Sequence, residues 1–366
     1  MARRKVNSLS RRKGDSSGWR LLLLVLLLVG AWLYQQWQRN QPPPVVGSAA
    51  DGAQIELYLM PGDGAKAKAR LIGLIGSAKR QVDVAAFELE DREIGQALLE
   101  AAARGVQVRL YTDRDYRREA RESLRAGGRG GRERCEEVQQ VAVCYDDREA
   151  LMHHKFVLID EVGVWTGSTN LTWNAFERNN ENSLFFPLPG LVQAYRGEFE
   201  ALWGGKPEGR GAPASFILGP TEGEVYFSPA GGDAGHAALL KTLSLARKEV
   251  LIAAYVLTDR RFVEGLVALR RKGVRVRVVI DARNLVNSLD EEIKRAGIEV
   301  RKDGNPYTQH NKVIVLDDTW VVTGSYNFSA SAYRSNNENL LILKSPELAA
   351  RYRKELEAIW RVGEPL

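Results

Sequence analysis

The sequence predicts an α/β protein of two pseudo-symmetric lobes packed face to face, preceded by an N-terminal transmembrane helix. Three features predict it: a strand–helix–strand pattern that occurs twice, a set of polar residues that recurs at a constant offset, and one apolar run near the N-terminus. At 366 residues there is room for two such lobes. Hydrophobic residues at 44% and charged residues at 27% are those of an ordinary globular chain.

Residues 1–20 hold seven basic residues and one acidic residue, so the formal net charge of +6 resides in this tail. The remaining chain has 45 residues of each sign, and global charge gives no reason to expect a polyanionic partner. Residues 21–34 carry no charge, and with aromatic flanks the run extends from Trp19 to Trp37. At ~1.5 Å per residue it spans roughly 28 Å, close to a bilayer core. Residues 21–37 are therefore expected to be a transmembrane signal anchor. The basic residues before it place residues 1–20 in the cytoplasm and the body on the extracytoplasmic side, as a single-pass membrane protein. A cleaved signal peptide competes with this reading, but Gln35, Gln36 and Gln38 around Trp37 make a poor cleavage site. Residues 38–54, with Pro42, Pro43 and Pro44, read as a linker.

The remainder repeats itself. Residues 82–89 match 250–257, and Asp91, Gly105 and Asp113 match Asp259, Gly273 and Asp281, all at an offset of 168. Further on, His153, Asp160, Asn170 and Glu181 match His310, Asp317, Asn327 and Glu338 at an offset of 157. The first half thus carries about eleven extra residues, in the arginine/glycine-rich stretch 114–134 and the segment from Cys135 to Cys144. Each half reads strand, helix, glycine, strand, and such short connections imply parallel pairing. Residues 156–159 and 313–316 are wholly apolar, as expected of strands buried on both faces. The lobes are expected at 55–205 and 222–366. The two cysteines are either unrelated thiols or a disulfide across a short loop, which needs an oxidising compartment. Without nearby histidines they are not a zinc set, and no metal site is expected.

The recurring polar residues carry chemistry. His153 and Lys155, and likewise His310 and Lys312, are two apart and share a face of a strand. Histidine can act as nucleophile or as general acid and base near neutral pH. Lysine supplies charge for phosphate oxygens. Ser168 and Asn170, with Ser325 and Asn327, add hydroxyl and amide groups that can bind phosphate. Glu181 and Glu338 can orient an imidazole through its second nitrogen. Thirteen of the thirty aligned positions from His153 and from His310 are identical, most of them polar. A repeat kept for its core alone would show the reverse.

His-x-Lys-(x)4-Asp followed by Gly-Ser-x-Asn, twice, resembles the phospholipase D superfamily over about residues 55–366. The resemblance implies two α/β/α lobes sharing one cleft, no metal or cofactor, and a phosphohistidine intermediate. It implies His153 as nucleophile and His310 as acid, with Lys155, Lys312, Asn170 and Asn327 on the phosphate. Asp160 and Asp317, at strand ends, are expected to be structural. Both motifs lie in one chain, so a monomer is expected to be a complete active unit. The first expected substrate is a phospholipid, because the anchor sets the site beside a bilayer. The alternative is a metal-independent nuclease, for which the short repeats resemble the compact endonuclease and cardiolipin-hydrolase branch; the arginines of 114–134 offer it a polyanion contact, although that stretch reads more readily as a solvated helix and a glycine loop. A cardiolipin synthase-like phosphatidyltransferase is the third.

Overall fold

The structure is a computed structural model that describes residues 16–39, 42–49 and 53–366, other than 129 and 132. The chain divides into two units, Met1–Pro42 and Pro43–Leu366. In the first, Ser16–Arg39 is one helix, whose leucines from Leu21 to Leu33 are exposed. Among the described residues no helix is long and apolar enough to cross a membrane. The expected anchor over 21–37 therefore rests on its sequence alone. Residues 1–15 of the expected basic tail lie outside the described residues, as do the side chains of Trp19 and Trp37.

The second unit is a mixed α/β body built on two sheets. The first sheet has eight strands, in the order Glu56–Met60, Glu181–Phe186, Gly163–Gly167, Lys155–Ile159, Gln81–Ala86, Gln107–Asp113, Val141–Asp146 and Cys135–Val138. The second has ten, and its inner seven repeat that order: Thr221–Ser228, Glu338–Lys344, Trp320–Gly324, Lys312–Leu316, Glu249–Ala254, Arg275–Ile280 and Glu299–Lys302. Ala214–Leu218 and Val45–Ala49 extend it at one edge and Glu364–Pro365 at the other.

The strand–helix–strand units pair in parallel, Gln81–Ala86 with Gln107–Asp113 and Glu249–Ala254 with Arg275–Ile280. Their helices, Arg92–Ala103 and Arg260–Arg271, start where the repeated Asp91 and Asp259 accept two backbone N–H groups each. They end before Gly105 and Gly273, whose φ of 85° and 86° an L side chain rarely adopts. The His-x-Lys strands lie outside these parallel pairs. Lys155–Ile159 and Lys312–Leu316 run antiparallel to both neighbours, and a three-residue turn joins each to one of them, Gly163–Gly167 and Trp320–Gly324. Val45–Ala49 also departs from expectation. Placed in a linker by its composition, it pairs in parallel with Ala214–Leu218, which itself precedes the expected start of the second lobe.

Helices Pro189–Trp203 and Pro346–Val362 share one apolar core with the inner faces of both sheets. That core joins Tyr195 and Phe199 of one helix to Tyr352 and Leu356 of the other, all of them buried. Separate cores lie on the outer faces, under Gly64–Ser77 and Arg92–Ala103 in the first lobe and under Gly232–Leu243 and Arg260–Arg271 in the second. Each sheet is thus covered on both sides, and the strands with His-x-Lys sit near the middle of each.

Candidate active site

Both histidines lie just before their strands, which begin at Lys155 and Lys312. The backbone there leaves its own lobe. His153 N donates to Asn337 O, and His310 N donates to Asn180 O. Asp113 and Asp281 hold the preceding residues by accepting from Met152 N and Gln309 N. The side chains cross as well. His153 Nδ1 donates to Glu338, 2.8 Å from Oε2, and His310 Nδ1 donates to Glu181 Oε1 at 2.7 Å. Each histidine is therefore oriented by the glutamate of the opposite lobe. This leaves Nε2 of each ring as the available nitrogen. The ring centroids are 6.4 Å apart, on the wall of one cleft of about 530 Å³. Phe87 and Tyr255 hold the rings edge-on at 4.9 and 4.7 Å.

Lys155 Nζ donates to His153 O at 2.9 Å, and Lys312 Nζ donates to His310 O at 2.6 Å. Asn170 and Asn327 line the cleft, and each has a buried carbonyl oxygen without a partner. Ser168 and Ser325 are placed differently from the phosphate contacts expected of them. Both are fully buried, and Ser168 Oγ donates to Glu181 Oε2 at 2.6 Å while accepting from Asn182 N. Ser325 Oγ accepts from Asn339 N and bonds to Glu338. With these bonds made, the hydroxyls have nothing left for a phosphate and instead hold the glutamates. Asp160 and Asp317 sit at turns with φ of 48° and 47°. Asp160 accepts from Lys79, Arg80 and Gln81 N, and Asp317 from Arg247, Lys248 and Glu249 N. Burial would raise both carboxyls, but the backbone donors outweigh it and hold them below the usual range.

Burial drives the floor of the cleft towards neutral forms. It holds His153 well below the usual imidazole value, and Lys155 and Lys312 add to that. His310 is lowered to about 4, with Glu181 opposing. Lys155 and Lys312 fall to about 8 and about 7, and Glu338 is pushed up to about 8. Both imidazoles are thus free bases near neutral pH.

Sequence reading did not find the asparagines that join the lobes. Asn182 Nδ2 donates to Asn311 Oδ1, and Asn182 Oδ1 accepts from Thr323 and from Tyr352 of the central helix. Asn339 Oδ1 accepts from Thr166 in the mirrored place. Their signal was the repeated Asn-Asn-Glu-Asn, of which only the glutamate carries obvious chemistry. His154 is fully buried, with Nε2 3.6 Å from Glu198 Oε1.

Three arginines of 114–134 are engaged within the fold. Arg117 binds the carbonyls of Gly131 and Glu133, Arg121 pairs with Glu136, and Arg134 donates to Leu202 and Trp203 O. These three side chains are therefore not free for the polyanion contact weighed for the stretch. Cys135 and Cys144 face each other across the edge hairpin and form a disulfide.

The model of the family described as "Cardiolipin synthase, PLD-like domain" matches residues 71–203 and 239–360, the two lobes in turn. The chain belongs to the phospholipase D superfamily. Among curated relatives, this phospholipase D-like chain is 37% identical over 112 residues to a phospholipase D of Rickettsia bellii, covering 30% of the chain and 56% of the relative. It is 37% identical over 136 residues to a mitochondrial cardiolipin hydrolase of Xenopus laevis, covering 36% and 59%. The chain thus spans a little over half the length of the curated relatives it matches. A phosphatidylserine synthase from Haemophilus influenzae has the same fold, with a TM-score of 0.61 over 91% of this chain and 90% of that one at 15% identity.

Proposed function

We propose that the chain hydrolyses phosphodiesters through a phosphohistidine intermediate, with phospholipid head groups as its first substrate class. The exchanged His–Glu pairs carry this reading, because they turn two free Nε2 atoms to one cleft. His153 Nε2 attacks phosphorus as the bond to the leaving oxygen breaks, and His310 gives that oxygen its proton. Water then gives a proton to His310 and attacks phosphorus, and His153 leaves. The lysine charges and the asparagine amides stabilise the pentavalent transition state. One chain supplies both histidines, so a monomer is complete. The residue 21–37 anchor and the disulfide support an extracytoplasmic site beside a membrane.

The test incubates the full chain with labelled phosphatidylcholine, phosphatidylglycerol and cardiolipin, and separately with single-stranded DNA, in the presence of EDTA. Release of a head group is expected. Cleavage of DNA alone would replace the lipid reading with the nuclease one, and phosphatidyl transfer to an added alcohol without hydrolysis would favour a synthase.

A further inference from the structure

Each lobe reaches across to the other a second time, five residues before its histidine. The residue there is Arg148 in the first lobe and Asn305 in the second, and each follows an aspartate two positions earlier, Asp146 and Asp303, all at the offset of 157. Arg148 Nε donates to both carboxylate oxygens of Asp146 at 3.1 Å, and Asn305 N donates to Asp303 Oδ2 at 3.1 Å. The other donors cross to the opposite lobe. Arg148 donates to Ser335 O at 3.1 Å and to Asn337 Oδ1. Asn305 Nδ2 donates to Arg178 O and to Asn180 Oδ1, both at 3.0 Å. Ser335 and Asn337 correspond to Arg178 and Asn180, so one clamp is built twice, with a guanidinium and with an amide.

The asparagines so gripped are the ones that hold the histidines. Asn337 O accepts from His153 N at 3.0 Å, and Asn180 O accepts from His310 N at 2.9 Å. Each also precedes the glutamate that orients the same ring, Glu338 for His153 and Glu181 for His310. Both asparagines are buried, and an Oδ1 left without its donor there has to move to find another. Such a shift carries the imidazole with it, and a misplacement of about 1 Å can cost about a hundredfold in rate. We propose that Arg148 and Asn305 are positioning residues, Arg148 for His153 and Asn305 for His310, each governing its own histidine's step without touching the substrate. The assignment rests on the phosphodiesterase reading above.

The chemistry separates the two clamps. A misplaced His153 slows attack on phosphorus whatever the leaving group. A leaving group that is stable as an anion needs no proton, so a misplaced His310 spares that first step and slows the second, in which it takes a proton from water. A guanidinium grips through a planar fork. Lysine in place of Arg148 keeps a cation beside Asp146 but loses the fork.

The experiment uses the full chain in excess over bis(p-nitrophenyl) phosphate labelled at phosphorus. Release of nitrophenolate reports the first step, and loss of protein-bound label after alkaline quench reports the second. Arg148→Lys is expected to slow nitrophenolate release about tenfold. Asn305→Ala is expected to leave that release as in the wild type and to slow loss of label about tenfold, so that label accumulates. With labelled phosphatidylcholine, whose leaving alkoxide needs a proton, Asn305→Ala is expected to slow formation of the labelled protein as well. Asn305→Ala removes no charge and carries the test alone if Arg148→Lys does not fold. The two patterns found in the opposite variants would keep the clamps and exchange the roles of the histidines. Both steps slowed alike in each variant, or neither slowed, overturns the positioning roles and leaves the phosphodiesterase reading standing. A wild type that releases no nitrophenolate overturns both.

Discussion

The first lobe closes its sheet on a disulfide-pinned hairpin, Cys135–Val138 against Val141–Asp146. The second closes the same edge with Glu299–Lys302 and the two-residue Glu364–Pro365, and recruits Val45–Ala49 and Ala214–Leu218 at the other. Between these unlike edges, the strands that carry His-x-Lys and Asn-Asn-Glu-Asn keep the same order and register. The difference teaches where each lobe can vary. The edge strands carry none of the cleft residues. The cleft segments answer to both, because each histidine takes its backbone partner and its carboxylate from the opposite side. A change in one lobe's Asn-Asn-Glu-Asn is felt at the other lobe's histidine.

Removing a histidine is the severest break of this symmetry. His153→Asn and His310→Asn are each expected to lower turnover by about 10³-fold or more with the fold intact by circular dichroism. A short incubation with labelled substrate followed by alkaline quench should retain phosphoryl label on the protein in His310→Asn and lose it in His153→Asn. Label in the opposite variant would exchange the two roles.

The crossing itself is tested by the glutamates. Glu338→Gln is expected to cost about 10²-fold in kcat, and the double variant His153→Asn/Glu338→Gln to be no worse than His153→Asn alone. Glu181 should behave in the same way towards His310. Additive losses would mean that each glutamate serves something other than the opposite imidazole.

A smaller effect is expected from pH. Lys312 and Lys155, at about 7 and about 8, lose their charge as pH rises through that range. KM for an anionic ester is then expected to increase by about tenfold from neutral to alkaline pH, with binding strongest where both ammonium groups are protonated. A KM flat across this window would place the lysines away from the phosphate.

The least effect on chemistry is expected at the edge that distinguishes the lobes. Cys135→Ser/Cys144→Ser should cost about 2–3 kcal/mol of stability, read as a lower Tm, and leave kcat unchanged. A lost kcat would show that the hairpin also shapes the cleft.

How far the sequence could be read follows from these same parts. The two α/β units, their N-capping aspartates and the histidines, lysines and glutamates were visible because duplication sets each beside an independent copy. Ser168 and Ser325 were visible too, yet a hydroxyl in a Gly-Ser-x-Asn turn can face a phosphate or the carboxylate behind it, and sequence does not say which. Val45–Ala49 was hidden because its Val-Val-Gly-Ser-Ala composition is weak for a strand, and its partner lies about 170 residues away.

By itself the sequence determined the repeat, the His-x-Lys pair in each half and the tail that holds the net charge. These are properties of composition and spacing, which survive without a partner in space. Only the tertiary structure decided which glutamate serves which histidine and that the serines stand behind the carboxylates. Those depend on how two sheets dock across a shared core, which sets distances between residues that local periodicity never relates.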